Sequence, residues 1–281
     1  MNLKIMNSLI LMSILACQSA LAENQAVSRW NLDLSPSLFD VDNEGNGLDL
    51  LTEMTFPLAP ILGMGVFIDG SFTSGNDDNS DAIGSGLGAE IFLGRHDIGR
   101  IGFGVASTST VYTDIYDDEY SVEDDPTISS DLKTVSGEAY LGDFTLFAAN
   151  TKAETELESD GFTRDYPEQD RTVYGLQYYP TDRMSLMIGK YKEEETATAE
   201  VFVFGQSILL EYEREAESTF LGAEFQTGRI VSIFMKYQQT EYDDGFGTFF
   251  ADNSEKIKSL FVGVSIYIRG GETLKENDRW Y

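Results

Sequence analysis

Lys258-Ser259-Leu260-Phe261-Val262-Gly263-Val264-Ser265-Ile266-Tyr267-Ile268-Arg269 is the stretch on which the fold turns. Leu260, Val262, Val264, Ile266 and Ile268 occupy every second position and are all aliphatic. Ser259, Phe261, Gly263, Ser265 and Tyr267 stand between them and are mixed, small and polar. A period of two belongs to a β-strand whose two faces meet different surroundings. The pattern recurs. Val231, Ile233, Met235 and Tyr237 alternate with Ser232, Phe234, Lys236 and Gln238. Leu87, Ala89, Ile91 and Leu93 alternate with Gly86, Gly88, Glu90 and Phe92. Tyr174, Leu176 and Tyr178 alternate with Val173, Gly175, Gln177 and Tyr179, and Ala199, Val201 and Val203 with Thr198, Glu200, Phe202 and Phe204.

Strands are expected near 29–40, 48–57, 61–74, 82–95, 100–115, 128–141, 144–157, 171–179, 183–193, 196–204, 207–216, 218–227, 229–242 and 256–269. That count is fourteen, an even number. The stretch 190–217 has a second reading, as one hairpin turning at Gly205-Gln206 and projecting from a twelve-stranded structure. Short connections carry turn residues: Leu58-Ala59-Pro60, His96-Asp97-Ile98-Gly99, Gly142-Asp143, Pro180-Thr181-Asp182 and Thr227-Gly228. Longer polar, acidic stretches separate them: Asp42–Gly47, Gly75–Asp81, Tyr116–Thr127, Glu158–Asp170 and Asp243–Ser254. Alternating short and long connections predict an all-β, up-and-down antiparallel transmembrane β-barrel of about 12–14 strands. A soluble sandwich or lipocalin-like barrel would invert the faces. The Gly, Ser and Glu of the polar face are poor material for a dry core, which favours the membrane reading.

Composition narrows the rest. The 281 residues carry 19 Lys+Arg against 48 Asp+Glu, a net charge of −29, which repels phosphate backbones and argues against nucleic-acid binding. One Cys makes no internal disulfide framework, and one His makes no multi-His metal centre. Residues 1–22 have one charge, Lys4, an apolar run from Ser8 to Ala16, and Ala20-Leu21-Ala22 as a small-residue cleavage pattern. They read as a signal peptide cleaved after Ala22, with one barrel domain over 23–281 and a short polar tail from 270. Ile14-Leu15-Ala16-Cys17 also allows a lipidated Cys17. Without it the mature chain has no Cys, which suits an oxidising compartment.

At this level the chain resembles the Gram-negative outer-membrane β-barrel proteins, porin-like channels among them, over residues 29–269. Gly263, Ile266 and Ile268 match the insertion signal in the last strand of such barrels. Phe261 stands where a polar residue is usual, and the chain runs on through Gly270–Tyr281. The resemblance implies a channel or binding barrel in the outer membrane. It implies insertion by the barrel-assembly machinery, contact with outer-membrane lipids and lipopolysaccharide, and traffic of small solutes.

With the aliphatic face towards lipid, the other face holds Asp33, Glu53, Asp69, Glu90, Glu138, Glu211, Glu213 and Glu224 as pore-lining candidates, with Lys236 as their basic partner. Excess carboxylate in a wet lumen attracts cations. Trp30, Phe56, Tyr174, Tyr178, Phe225 and Tyr237 are candidate interfacial aromatics towards strand ends on the apolar face. An enzyme is not expected: His96 falls in the short turn Gly94-Arg95-His96-Asp97 with no matched Ser or carboxylate cluster. No cofactor or metal is expected either. Gly84-Ser85-Gly86-Leu87-Gly88-Ala89 fits a dinucleotide pattern, but strand alternation continues through it where a helix should begin. Asp40–Gly45 begins like a calcium loop, but its twelfth position is Leu51 instead of Glu. A non-conducting barrel with a structural or adhesive role is the alternative to the channel.

Overall fold

A computed structural model describes residues 31–42, 45–59, 61–75, 81–95, 98–113, 126–159, 162–203, 206–244, 255–268 and 273–275. The strands are β1 (Asn31–Val41), β2 (Gly45–Ala59), β3 (Leu62–Gly75), β4 (Asp81–Arg95), β5 (Gly99–Thr113), β6 (Thr127–Leu141), β7 (Phe144–Ser159), β8 (Phe162–Thr181), β9 (Met184–Val203), β10 (Gln206–Gln226), β11 (Val231–Asp244) and β12 (Glu255–Ile268). Each pairs antiparallel with its chain neighbours, and β1 pairs with β12, so the sheet closes into a twelve-stranded barrel. The count is the lower of the two that the sequence allows, twelve and not fourteen. The expected strands 183–193 and 196–204 are one strand, β9, and 207–216 and 218–227 are one strand, β10. They form the long hairpin of the second reading. Its charged residues sit outside the apolar belt, so polarity there marks water beside a continuing strand and not a turn.

The expected loop at Glu158–Asp170 is likewise corrected, because β7 runs to Ser159 and β8 starts at Phe162. The five connections at the other end are all tight. At Gly142-Asp143 the glycine takes φ 62°, which the two-residue turn needs and a side chain would resist.

Following paired residues once round the barrel, the register climbs by about fourteen residues, which tilts the strands by about 40°. Facing decides function. Leu260, Val262 and Ile268 are exposed on the outside, and Phe261, Ser265 and Tyr267 are buried inside. Leu87, Ile91, Leu93, Ile101, Phe103, Ile188, Ile233 and Met235 join the outer surface. An exterior of this kind is an apolar belt suited to lipid.

Inside, large aromatics lie over glycines directly opposite on neighbouring strands: Phe39 over Gly47, Phe92 over Gly63, Phe67 over Gly88, Phe147 over Gly175, Phe220 over Gly189 and Phe234 over Gly263. A Cβ on Gly189 would stand 2.3 Å from Phe220 Cζ. The glycine gives the ring a seat on the sheet, so the ring covers the backbone of the neighbouring strand. The Cβ-free strand costs chain entropy, which the ring's contact area offsets.

Cys17, Trp30 and His96 lie outside the described residues, as does the signal segment. The expected polar tail is corrected in part. Leu274 is fully buried, its N–H bonds to the carbonyl of Asp182 at 3.0 Å, and Lys275 reaches Asp143 at 2.7 Å. The tail is therefore fastened to the β8–β9 and β6–β7 turns. Gly189→Leu is expected to destabilise the barrel by about 1–3 kcal/mol, because the seat of Phe220 is filled. Urea unfolding in detergent, followed by loss of heat-modifiable migration, measures it.

Candidate functional site

The inward residues of each strand form layers. At mid-height lies an aromatic and aliphatic layer. Phe39 and Phe261 meet at 6.1 Å between ring centroids, and Phe147 and Phe220 stack at 6.4 Å. Val173, Ala149 and Tyr191 complete it, and Phe147 and Met187 pack against it. Lys236 places its ammonium 4.7 Å from the centre of the Phe220 ring, a cation–π contact.

Towards the short turns the lining changes to carboxylates. Asp33 on β1, Glu53 on β2, Glu90 on β4, Glu138 on β6 and Glu224 on β10 all face inward, with Arg100 among them from β5. Arg100 is 2% exposed and lies 2.9 Å from Glu138 Oε1 and 3.8 Å from Glu90 Oε2. Its guanidinium also lies 5.4 Å from the centre of the Phe92 ring. Ser136 donates to Glu90 at 2.6 Å and Tyr140 to Glu138 at 3.0 Å. Across the barrel, Tyr267 donates to Glu224 at 2.7 Å, and Ser232 donates to the same oxygen. Ser35 Oγ lies 3.1 Å from both Asp33 and Ser265 Oγ, which links the two halves. Five carboxylates against one guanidinium give this layer an excess of buried acid, which water, cations or protonation must make tolerable.

Six of the eight acidic candidates face inward: the five above and Asp69, which is buried on β3 beside Asp49. Lys236 does too, held by a ring and not by an acid. Glu211 and Glu213 lie on β10 with Glu224. β10 pairs with β9 without a break from Gln206 to Phe225, so 211 and 213 stand at opposite parity to 224. Their side chains lie outside the described residues. Arg100, the charge that organises the layer, was not among the candidates. Its signal is parity: it shares a face of β5 with Gly102 and Gly104, one step beyond the Gly99 turn. Higher up, Arg171 pairs with Glu193 at 3.6 Å and was missed in the same way.

Phe56, Tyr174, Tyr178, Phe225 and Tyr237 face outward. Phe56, Tyr178 and Phe225 lie beside the short turns, with Phe144 stacked on Tyr178 at 4.7 Å. Tyr174 and Tyr237 are corrected from strand ends to mid-strand, where the apolar belt stops on that side of the barrel.

No family model matches the sequence, and no curated protein matches it. Among solved structures, the chain is similar to the translocator domain of the autotransporter NalP from Neisseria meningitidis. The TM-score is 0.56 at 13% identity, over 94% of this chain and 96% of that one. It is also similar to the KdgM porin, with a TM-score of 0.50 at 11% identity, over 83% of this chain and 98% of that one. At such identities the likeness is one of fold: the chain has the architecture of the outer-membrane β-barrels.

Arg100→Met is expected to cost about 3–5 kcal/mol, because Glu90 and Glu138 lose their buried partner. Adding Glu138→Gln is expected to recover part of that loss. Urea midpoints of the single and double variants, measured side by side, check the pairing.

Proposed function

We propose that the chain is an outer-membrane channel for small solutes that prefers cations, exported by the signal segment 1–22. The observation that carries this reading is the carboxylate layer of Asp33, Glu53, Glu90, Glu138 and Glu224 inside a barrel whose exterior is aliphatic. Their field concentrates cations and repels anions at a low-dielectric wall. The described inner face adds Arg100, Arg171 and Lys236 as cations, too few to reverse its sign.

The aromatic layer sets the width. Phe39 and Phe220 are 3% and 2% exposed, so this layer is closely packed, and we infer a narrow lumen of small conductance from it. The same packing favours a second reading, a non-conducting barrel with a structural role. An enzymatic role gains no support from the described side chains.

Planar-bilayer recording separates these readings. Reversal potentials in a salt gradient are expected to show cation selectivity, weakened in Glu90→Gln/Glu224→Gln. Phe220→Ala is expected to raise single-channel conductance about two- to threefold as the constriction opens. Anion selectivity would overturn the reading, and so would a wild-type barrel that passes no current while Phe220→Ala stays equally silent.

A further inference from the structure

The outer belt is not equally tall all the way round. On β4 the outward residues from Leu93 up to Ile83 are apolar but for Ser85. On β7 the apolar run is Phe144, Leu146 and Ala148, and on β8 it is Tyr178, Leu176 and Tyr174. On β9 it is Met184, Leu186 and Ile188. All these runs start beside the short turns. With a rise of about 3.3 Å per residue and a tilt of about 40°, each residue adds roughly 2.5 Å of height. The apolar belt is then roughly 25 Å tall on β4 and roughly 10–15 Å on β7 to β9.

A row of charge crosses this low sector at one height. It consists of Lys133 on β6, Lys152 on β7, Asp170 on β8, Lys192 on β9 and Glu217 on β10. Each stands eight residues along from the outward residue beside a short turn: Leu141, Phe144, Tyr178, Met184 and Phe225 in turn. The row is therefore roughly 20 Å up, at a height where β4 is still apolar. Ionisable groups at membrane depth are costly against lipid and settle against protein or trapped water. A wall whose belt is too short gains by association with another wall.

We propose that this sector is the interface of a homodimer whose two barrels stand side by side. Both copies insert in the same direction, so their two-fold axis runs parallel to the barrel axis, and facing strands meet at equal height. An axis between β8 and β9 sets β8 against β9 of the second copy, β7 against its β10 and β6 against its β11. Asp170 then faces Lys192 of the second copy, Lys152 faces its Glu217, and Lys133 faces its Gln239. Each match occurs twice. Beneath them Tyr174 faces Ile188 of the second copy, and both are about half-exposed in the single barrel. An axis one strand either way loses the match: Lys133 would meet Lys192 on one side, and Lys152 would meet Leu260 on the other.

Within one barrel the charge pairs of this wall are exposed. Lys152 lies 3.8 Å from Asp170, Lys192 lies 2.8 Å from Glu215, and Lys190 pairs with Glu217. Exposed pairs are of small worth, so they exchange partners at little cost. Set wall to wall, the two rows screen each other from hydrocarbon, and their signs choose how the copies align. This inference rests on the outward belt facing lipid and is independent of whether the lumen conducts.

Two full-length charge variants, expressed singly and together with tags of different mass, test it. Lys152→Glu/Lys192→Glu makes the row acidic from β7 to β10, and Asp170→Lys/Glu217→Lys makes it basic. Native mass spectrometry of the detergent-released barrels counts the copies. The wild type is expected as a dimer. Each variant alone is expected to lose at least about tenfold in dimer, and the two together are expected to form the mixed dimer. That rescue crosses between chains, which no contact within one barrel can do. All four residues lie on the outer surface, and unchanged heat-modifiable migration confirms that each variant folds. The milder Lys192→Glu alone is expected to lower the dimer fraction too. A wild-type monomer would overturn the proposal, whether bare or carrying lipopolysaccharide mass on this wall. So would a reversed variant that stays dimeric on its own, or two folded variants that do not pair.

Discussion

The structure depends on one constraint: in hydrocarbon there is no water to satisfy a strand's unpaired N–H and C=O groups. An open sheet would leave two such edges. Here β1 pairs with β12 from Leu32–Ile268 to Val41–Ser259, and both edges vanish. Closure dictates the rest. Being antiparallel, it fixes an even number of strands, returns the start of β1 and the end of β12 to the side of the short turns, and gives each strand one outward and one inward face. With the backbone satisfied, the side chains are free to be hydrophobic outwards and polar inwards.

The interior answers a second demand, that of filling a cylinder without a conventional core. Phe220 over Gly189 and Phe234 over Gly263 brace adjacent strands from within. Below them, Arg100 holds Glu90 and Glu138 together and joins strands β4, β5 and β6 by charge as well as by backbone. The acids behind the net charge of −29 thus fall in the longer connections and in the lumen, while outward acids above the belt are in part matched by Lys, as in Lys133–Glu154 and Lys192–Glu215.

How legible this was in the sequence depended on distance from the boundary between apolar and polar surroundings. Within the belt, as at Leu260–Ile268, alternation is forced by lipid on one side, and strand, face and parity could all be read. Above the belt, both faces of a strand meet water, and Glu193-Glu194-Glu195 imitates a loop while lying within β9. That is why the sequence allows fourteen strands as well as twelve. Most inward acids followed from parity alone. Arg100 did not, because one charge beside a turn glycine has no pattern of its own.

The fastening of the tail has a temporal meaning. Leu274 and Lys275 hold residues in turns about ninety and one hundred and thirty positions earlier in the chain, on strands far round the wall from β12. Contacts between such distant segments carry a large loop-closure entropy, and they are worth forming only once the intervening wall stands. The C-terminal latch is therefore the last part of the molecule to find its place. Its seating marks a barrel that has already closed.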